Sequence, residues 1–267
     1  MPVETIIKTE GLCVQSGSRY LLRDINWEVK RGEQWVVFGL NGSGKTTLLS
    51  VIAGFKEPTA GFVEVFGQRY SNDNLLQNRS RIGWVSSSFF DKYYTRESAL
   101  SIVLAGLSGT LGLRGGLRDD DVLKAKALLA EYHFGDRIDL PFSILSKGER
   151  QNILIARAMM ADPEILVLDE PGTGLDVLAR EYLLQKIDTL AKEQRMTIIY
   201  VTHYPEEIQP IFTNAIILRE GMIVDRGPTE EVFDSQRLSA ALEASVIVQK
   251  DADGRRDLRV VKEGATW

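Results

Sequence analysis

The run WVVFGLNGSGKTTLL, residues 35–49, constrains the architecture more than any other stretch of the chain. Its first residues form an apolar, β-branched strand pattern, and the glycines that follow signal a tight turn. Residues 45–54 carry Leu48, Leu49, Val51 and Ile52, the pattern of a helix that stops at Gly54 and is sealed by Pro58. Residues 39–46 fit the phosphate-loop pattern G-x-x-x-x-G-K-[ST], set between a strand and a helix as that pattern requires. Such a turn lets successive backbone N–H groups and a helix N-terminus face a triphosphate. The nucleotide-binding set is therefore Gly39, Leu40, Asn41, Gly42, Ser43, Gly44, Lys45, Thr46 and Thr47. Lys45 is placed to reach the β and γ phosphates, and Thr46 to offer its hydroxyl to Mg²⁺.

Strand signals flank this unit. Residues 25–29 and 34–38, either side of Arg31-Gly32, are expected to pair as a hairpin, and 62–66 form another strand before Gly67. From about residue 86 to 161 the pattern turns helical, most clearly at 98–107 and 120–132. The glycine-rich connector between them, 108–118, is expected to be a surface loop. Apolar strands return at 165–168 and 197–201 around a helix at 177–194, an alternation that implies a parallel sheet. Two hairpins close the pattern, 216–218 with 222–224 through Glu220-Gly221, and 246–249 with 258–261 through Asp253-Gly254.

The strand at 165–168 ends in Asp169 and Glu170, which delivers two acids to the C-terminal edge of the sheet, where α/β folds bind their ligands. Beside a phosphate loop, Asp169 is expected to hold Mg²⁺ through water and Glu170 to polarise the water that attacks the γ phosphate. The strand at 197–201 leads to His203, a candidate γ phosphate contact, while His133 is assigned a structural role.

Composition narrows the field. The chain has 267 residues, 44% hydrophobic and 26% charged, enough for a sizeable core without disulfides. Its single cysteine, Cys13, points to a reducing compartment and to apolar packing. A net charge of −5 argues against nucleic acid as the main partner. No window approaches the ~20 apolar residues of a membrane span, and the start MPVETIIKTE lacks a signal-peptide pattern, so a cytoplasmic protein is expected.

With these residues in view, 4–240 resembles the ATP-binding domain of ABC ATPases. Residues 39–46 look like the family's Walker A motif, 165–170 like Walker B with its catalytic glutamate, and His203 like the switch histidine. TGLD, 173–176, looks like the D-loop with Asp176 as its aspartate. LSKGERQ, 145–151, is similar to the signature usually written LSGGQ, with Ser146, Lys147, Gly148 and Glu149 as the group that would act in trans. Ser146 and Glu149 also stand at capping-box spacing, so a helix from Lys147 towards Met160 is expected, with its N–H groups directed outwards. Gly148 lets that backbone approach a phosphate, and Lys147 is placed to offset the Glu149 charge.

The chain departs from the family in three places. Where a glutamine usually meets Mg²⁺ and the attacking water, IGWVSSSFF has Ser87. Where an aromatic usually stacks on adenine there is Ser16-Gly17, and Tyr20 is the available substitute. The signature carries Lys147 and Glu149 in place of Gly and Gln. The serine run and GLNGSGKTTLL are similar to a subgroup labelled molybdate-transport-like, although no residue reads molybdate.

The resemblance implies an α/β fold: a P-loop NTPase core with a mixed sheet, parallel at its centre and antiparallel at its N-terminal strands, and an inserted helical signature subdomain. Its division would be an ATPase domain at 1–240, with core 1–85 and 162–240 and insert 86–161, followed by a β-hairpin tail at 241–267. It further implies a Mg²⁺-dependent ATPase that pairs head to tail with a second copy around ATP and powers separate membrane permease subunits at the inner face of a membrane. The alternative is a soluble ABC ATPase of assembly or repair without a permease. Residues 89–94, FFDKYY, either receive the permease or pack in the core.

Overall fold

The computed structural model describes residues 4–261 apart from Asn72, Arg114, His133 and Arg195. The structural role assigned to His133 thus falls outside the described residues. In chain order the elements begin with β1 (Thr5–Ser16), β2 (Arg19–Lys30), β3 (Gln34–Phe38), α1 (Lys45–Ile52), β4 (Ala60–Val65) and β5 (Gln68–Arg69). Next come α2 (Leu75–Ser80), β6 (Ile82–Ser86), α3 (Ser87–Phe90), α4 (Ala99–Ala105), α5 (Asp119–Glu131) and α6 (Lys147–Met159). The chain continues through β7 (Ile165–Asp169), α7 (Val177–Gln194), β8 (Thr197–Thr202), β9 (Asn214–Arg219) and β10 (Met222–Pro228). It closes with α8 (Thr229–Val232), α9 (Ser235–Leu242), β11 (Val246–Lys250) and β12 (Arg256–Val260).

A six-stranded sheet in the order β10-β9-β3-β8-β7-β6 forms the centre, with every neighbouring pair parallel except β9 with β10. Strands β6, β7 and β8 are buried at every position, as continuous apolar runs covered on both faces must be. A second, antiparallel sheet runs β2-β1-β4-β5. The hairpin expected between residues 25–29 and 34–38 does not form: β2 pairs with β1, whereas β3 crosses into the central sheet between β8 and β9. The physical reason is visible in burial. β2 alternates buried and exposed positions over its second half, as a strand with one wet face does, while β3 is buried at four consecutive residues and needs cover on both sides.

The other expected elements appear within a few residues of their sequence bounds, and both later hairpins form. The first residues of the glycine-rich connector pack inward, where the buried Arg157 guanidinium donates to the Thr110 carbonyl at 2.9 Å, and residues 112–113 and 115–118 are exposed. Of the aromatics at 89–94, Phe90 and Tyr94 are core residues stacked on each other at 5.6 Å, while Tyr93 is 47% exposed. Cys13 is half-buried and its sulfur accepts from the Asp24 N–H at 3.4 Å. No helix among the described residues is long and apolar enough to cross a membrane.

Candidate functional site

Strand register brings the chemistry together. Ser86 lies opposite Asp169 across β6 and β7, Asp169 opposite Val201 across β7 and β8, and Phe38 opposite Thr202 across β3 and β8. The residues that follow these strand ends therefore emerge at one edge of the sheet, where a cavity of about 1170 Å³ opens. Its wall includes residues 40–47, Tyr20, Ser87, Asp169 and Glu170. Lys147 also reaches this wall, whereas Gly39, Ser146, Gly148, Glu149, Asp176 and His203 do not.

The phosphate loop is shaped by steric necessity. Gly44 has φ of 106°, and a Cβ there would lie 2.8 Å from the Leu21 carbonyl oxygen, so no other residue fits without displacement. With Gly44 as its N-cap, α1 starts without a side-chain cap, and its first N–H groups remain open to an anion. Lys45, 5% exposed, donates from Nζ to the carbonyls of Gly39 at 2.7 Å and Leu40 at 3.2 Å, and stands 3.3 Å from Glu170 Oε1. The Ser43 hydroxyl is buried without a hydrogen-bond partner among the described residues, an orphaned group that a phosphate oxygen would satisfy.

Asp169 is 4% exposed and accepts from Thr46 Oγ1 at 3.3 Å and from Ser86 Oγ at 2.9 Å. Burial pushes its carboxyl up to about 6, against the pull of those two hydroxyls. A buried acid beside a threonine hydroxyl is an oxygen donor set suited to a hard divalent cation such as Mg²⁺. Glu170 follows with a left-handed φ of 50°, unusual outside glycine, fixed by its N–H donating to the Val201 carbonyl at 2.9 Å. Its Oε1 lies 3.1 Å from His203 Nδ1 without the alignment of a hydrogen bond. His203 thus stands behind Glu170, its ring packed on Tyr204 at 4.0 Å.

Sequence reasoning singles out Ser87, but its hydroxyl donates to Gln151 Oε1 of α6 at 2.7 Å, and it is Ser86 that touches Asp169. Three serines in a row give no local signal of which one bonds Asp169; strand pairing decides it, while Ser87 remains on the cavity wall. Tyr20 stands 47% exposed on the cavity wall.

In the signature segment the capping box forms. Ser146 Oγ accepts from the Glu149 N–H at 3.3 Å, and Glu149 Oε2 accepts from the Ser146 N–H at 2.8 Å. The partner of Glu149 is Arg137, in place of the expected Lys147. Burial works to raise the Glu149 carboxyl, but hydrogen bonds from Ser146 and Arg137 outweigh it and hold it below its usual range. Lys147 instead lies over Gly174, filling the space where a Cβ would sit 2.3 Å from its Nζ. Asp176 caps α7, accepting from the Ala179 N–H at 2.9 Å.

A phosphate loop after β3 and an acid-ended strand, β7, two places away in the same mostly parallel sheet define a P-loop nucleotide-binding protein. Residues 22–173 match the ABC transporter family. The ABC transporter ATP-binding protein YlmA of Bacillus subtilis (strain 168) is 39% identical over 250 residues, covering 93% of this chain and 95% of that protein. The ABC transporter ATP-binding protein ModF of Escherichia coli (strain K12) is 31% identical over 214 residues, 79% of this chain and 44% of that protein. Among solved structures, CbiO1 of Clostridium perfringens, part of the ABC transporter complex CbiONQ, matches with a TM-score of 0.71 at 26% identity over 89% of this chain and 94% of that one. The dimeric bacterial ABC transporter cassette MJ0796 matches with a TM-score of 0.72 at 26% identity over 84% and 98%. This chain belongs to the ABC transporter family as an ATP-binding cassette.

Proposed function

We propose that the chain is the Mg²⁺-dependent ATPase subunit of a membrane transporter, active as a head-to-tail pair with a second copy and docked on separate permease subunits at the inner face of the membrane. The observation that carries the hydrolytic reading is the cluster of Lys45, Glu170 and His203, with Glu170 Oε1 lying 3.3 Å from the Lys45 amine and 3.1 Å from His203 Nδ1. Lys45 binds the β and γ phosphates, Glu170 polarises the attacking water, and His203 contacts the γ phosphate. Thr46 and Asp169 would hold Mg²⁺, with Ser87 on the same wall, and the ion would neutralise phosphate charge. Tyr20 stacks on the base.

The trans role of the signature is supported by what does not crowd it. A Cβ built on Gly148 would meet nothing closer than Leu175 Cδ2 at 3.7 Å, so no contact among the described residues calls for glycine there. A phosphate on the facing copy would. The division into an ATPase core, a helical insert at 86–161 and a hairpin tail at 241–267 belongs to the same reading. So does the partner: CbiO1, a cassette of this fold, is part of a transporter complex.

Two variants test this. Glu170→Gln should bind ATP, hydrolyse it at least ~100-fold more slowly and accumulate as a dimer in size-exclusion chromatography with ATP. Ser146→Arg should bind ATP as the parent does, yet neither dimerise nor hydrolyse it. A Glu170→Gln protein that stays monomeric with saturating ATP would sink the head-to-tail pairing, and co-purification only with soluble proteins would sink the permease.

A further inference from the structure

The loop after β8 contains a carboxylate that the hydrolytic scheme leaves unused. Glu207 is 1% exposed. Its Oε2 accepts from the Thr202 hydroxyl at 2.6 Å and from the Tyr200 hydroxyl at 3.0 Å, both on β8. Thr202 Oγ1 in turn accepts from the Tyr204 N–H at 2.9 Å, so the segment carrying His203 folds back around this carboxylate.

The other oxygen faces a different segment. Oε1 has no hydrogen-bond partner among the described residues and lies against Gly172, where an added Cβ would sit only 2.2 Å from it. Gly172 is two residues beyond Glu170, in a turn closed by the Thr173 N–H donating to the Glu170 carbonyl at 3.1 Å. Glu207 therefore touches both arms of the site, the turn that sets Glu170 and the loop that sets His203. Burying a carboxyl is unfavourable, and here burial pushes it above the usual range despite two hydroxyl donors and the opposing charge of Arg180.

We propose that Glu207 is a positioning residue: wedged between β8 and the turn at Gly172, it fixes the separation of Glu170 and His203 that ATP hydrolysis requires. The inference rests on the roles given to Glu170 and His203 above. It accounts for the small residue at 172, because the Cβ of any side chain there would clash with the carboxylate, so that either the turn or the wedge must shift.

The test compares Glu207→Ala, Glu207→Gln and Gly172→Ala by steady-state ATPase kinetics and by fluorescent-nucleotide binding, with circular dichroism to confirm folding. Loss of alignment at the reacting centre should lower kcat about 10- to 100-fold in Glu207→Ala and Gly172→Ala, with KM and nucleotide affinity changed less than about 2-fold. Glu207→Gln keeps the volume and an oxygen for both hydroxyls and should recover most of kcat. In a His203→Ala background, Glu207→Ala should add little further loss, because it acts through the same pair. Wild-type kcat in a folded Glu207→Ala or Gly172→Ala protein overturns the inference, as does a loss that Gln fails to rescue or one that multiplies with that of His203→Ala. A wild-type chain that binds ATP but never turns it over, with permease supplied, overturns the hydrolytic function itself and the inference with it.

Discussion

Replacing Asp169 with asparagine should stabilise the nucleotide-free protein while disabling the site. In the native chain this carboxyl is 4% exposed, and burial raises it from an ordinary 3.8 to about 6. Between those two values the native protein holds a proton that the unfolded chain has released. Below pH 3.8 both states are protonated and the group is neutral in the balance. Between 3.8 and about 6 stability falls as pH rises, because the native state binds more protons. Above about 6 the penalty is constant. At 1.36 kcal/mol per pH unit, the gap between 3.8 and about 6 corresponds to about 3 kcal/mol. Asparagine keeps the shape and can hydrogen-bond Ser86 and Thr46 without a charge. Urea denaturation in EDTA, without nucleotide, should thus find Asp169→Asn about 3 kcal/mol more stable than the parent at pH 8, or roughly 6–12 °C in Tm, with the advantage vanishing towards pH 4. Adding Mg²⁺ and ATP should stabilise the parent and not the variant. A variant that is less stable at pH 8, or an advantage independent of pH, would show that the cost of burying this carboxylate does not outweigh its hydrogen bonds, and the reasoning would fail.

Two further variants probe the nucleotide pocket. Lys45→Ala removes an amine that is buried in the phosphate loop, and isothermal titration calorimetry should show ATP affinity falling at least about 100-fold, since a charge-assisted contact to phosphate is lost; unchanged affinity rejects the phosphate-loop assignment. Tyr20→Ala should weaken ATP about 5-fold, the value of one stacking contact, with inorganic tripolyphosphate unaffected. Equal weakening of both ligands would mean that Tyr20 does not meet the base.

The phosphate loop, the acids ending β7 and the capping box at Ser146 are legible from sequence because each is a short, contiguous pattern whose geometry is set by nearby residues. Other features are not. Strand β1, TIIKTEGLCVQS, escapes a search for alternation because its pairing register shifts between Thr9 and Leu12, around a left-handed Gly11, which breaks the pattern that marks a half-buried strand. Helix α9, Ser235–Leu242, is equally hidden: only Leu238 and Ala241 are buried, too thin an apolar face to stand out in the sequence. The expected pairing of β2 with β3 fails because a short turn between two strands looks the same whether they pair or part.

What the sequence determined by itself was therefore the local chemistry: which loop cradles phosphate, which residues are acids at a strand end, which helix begins with a cap. The tertiary structure alone decided which of these meet. Parallel pairing set Ser86, and not Ser87, against Asp169; packing of α6 turned Lys147 towards Gly174 and gave Glu149 to Arg137; and the return of the chain after β8 seated Glu207 against Gly172. Each of these contacts depends on where neighbouring strands, helices and loops are brought together, and no short window of sequence carries that information.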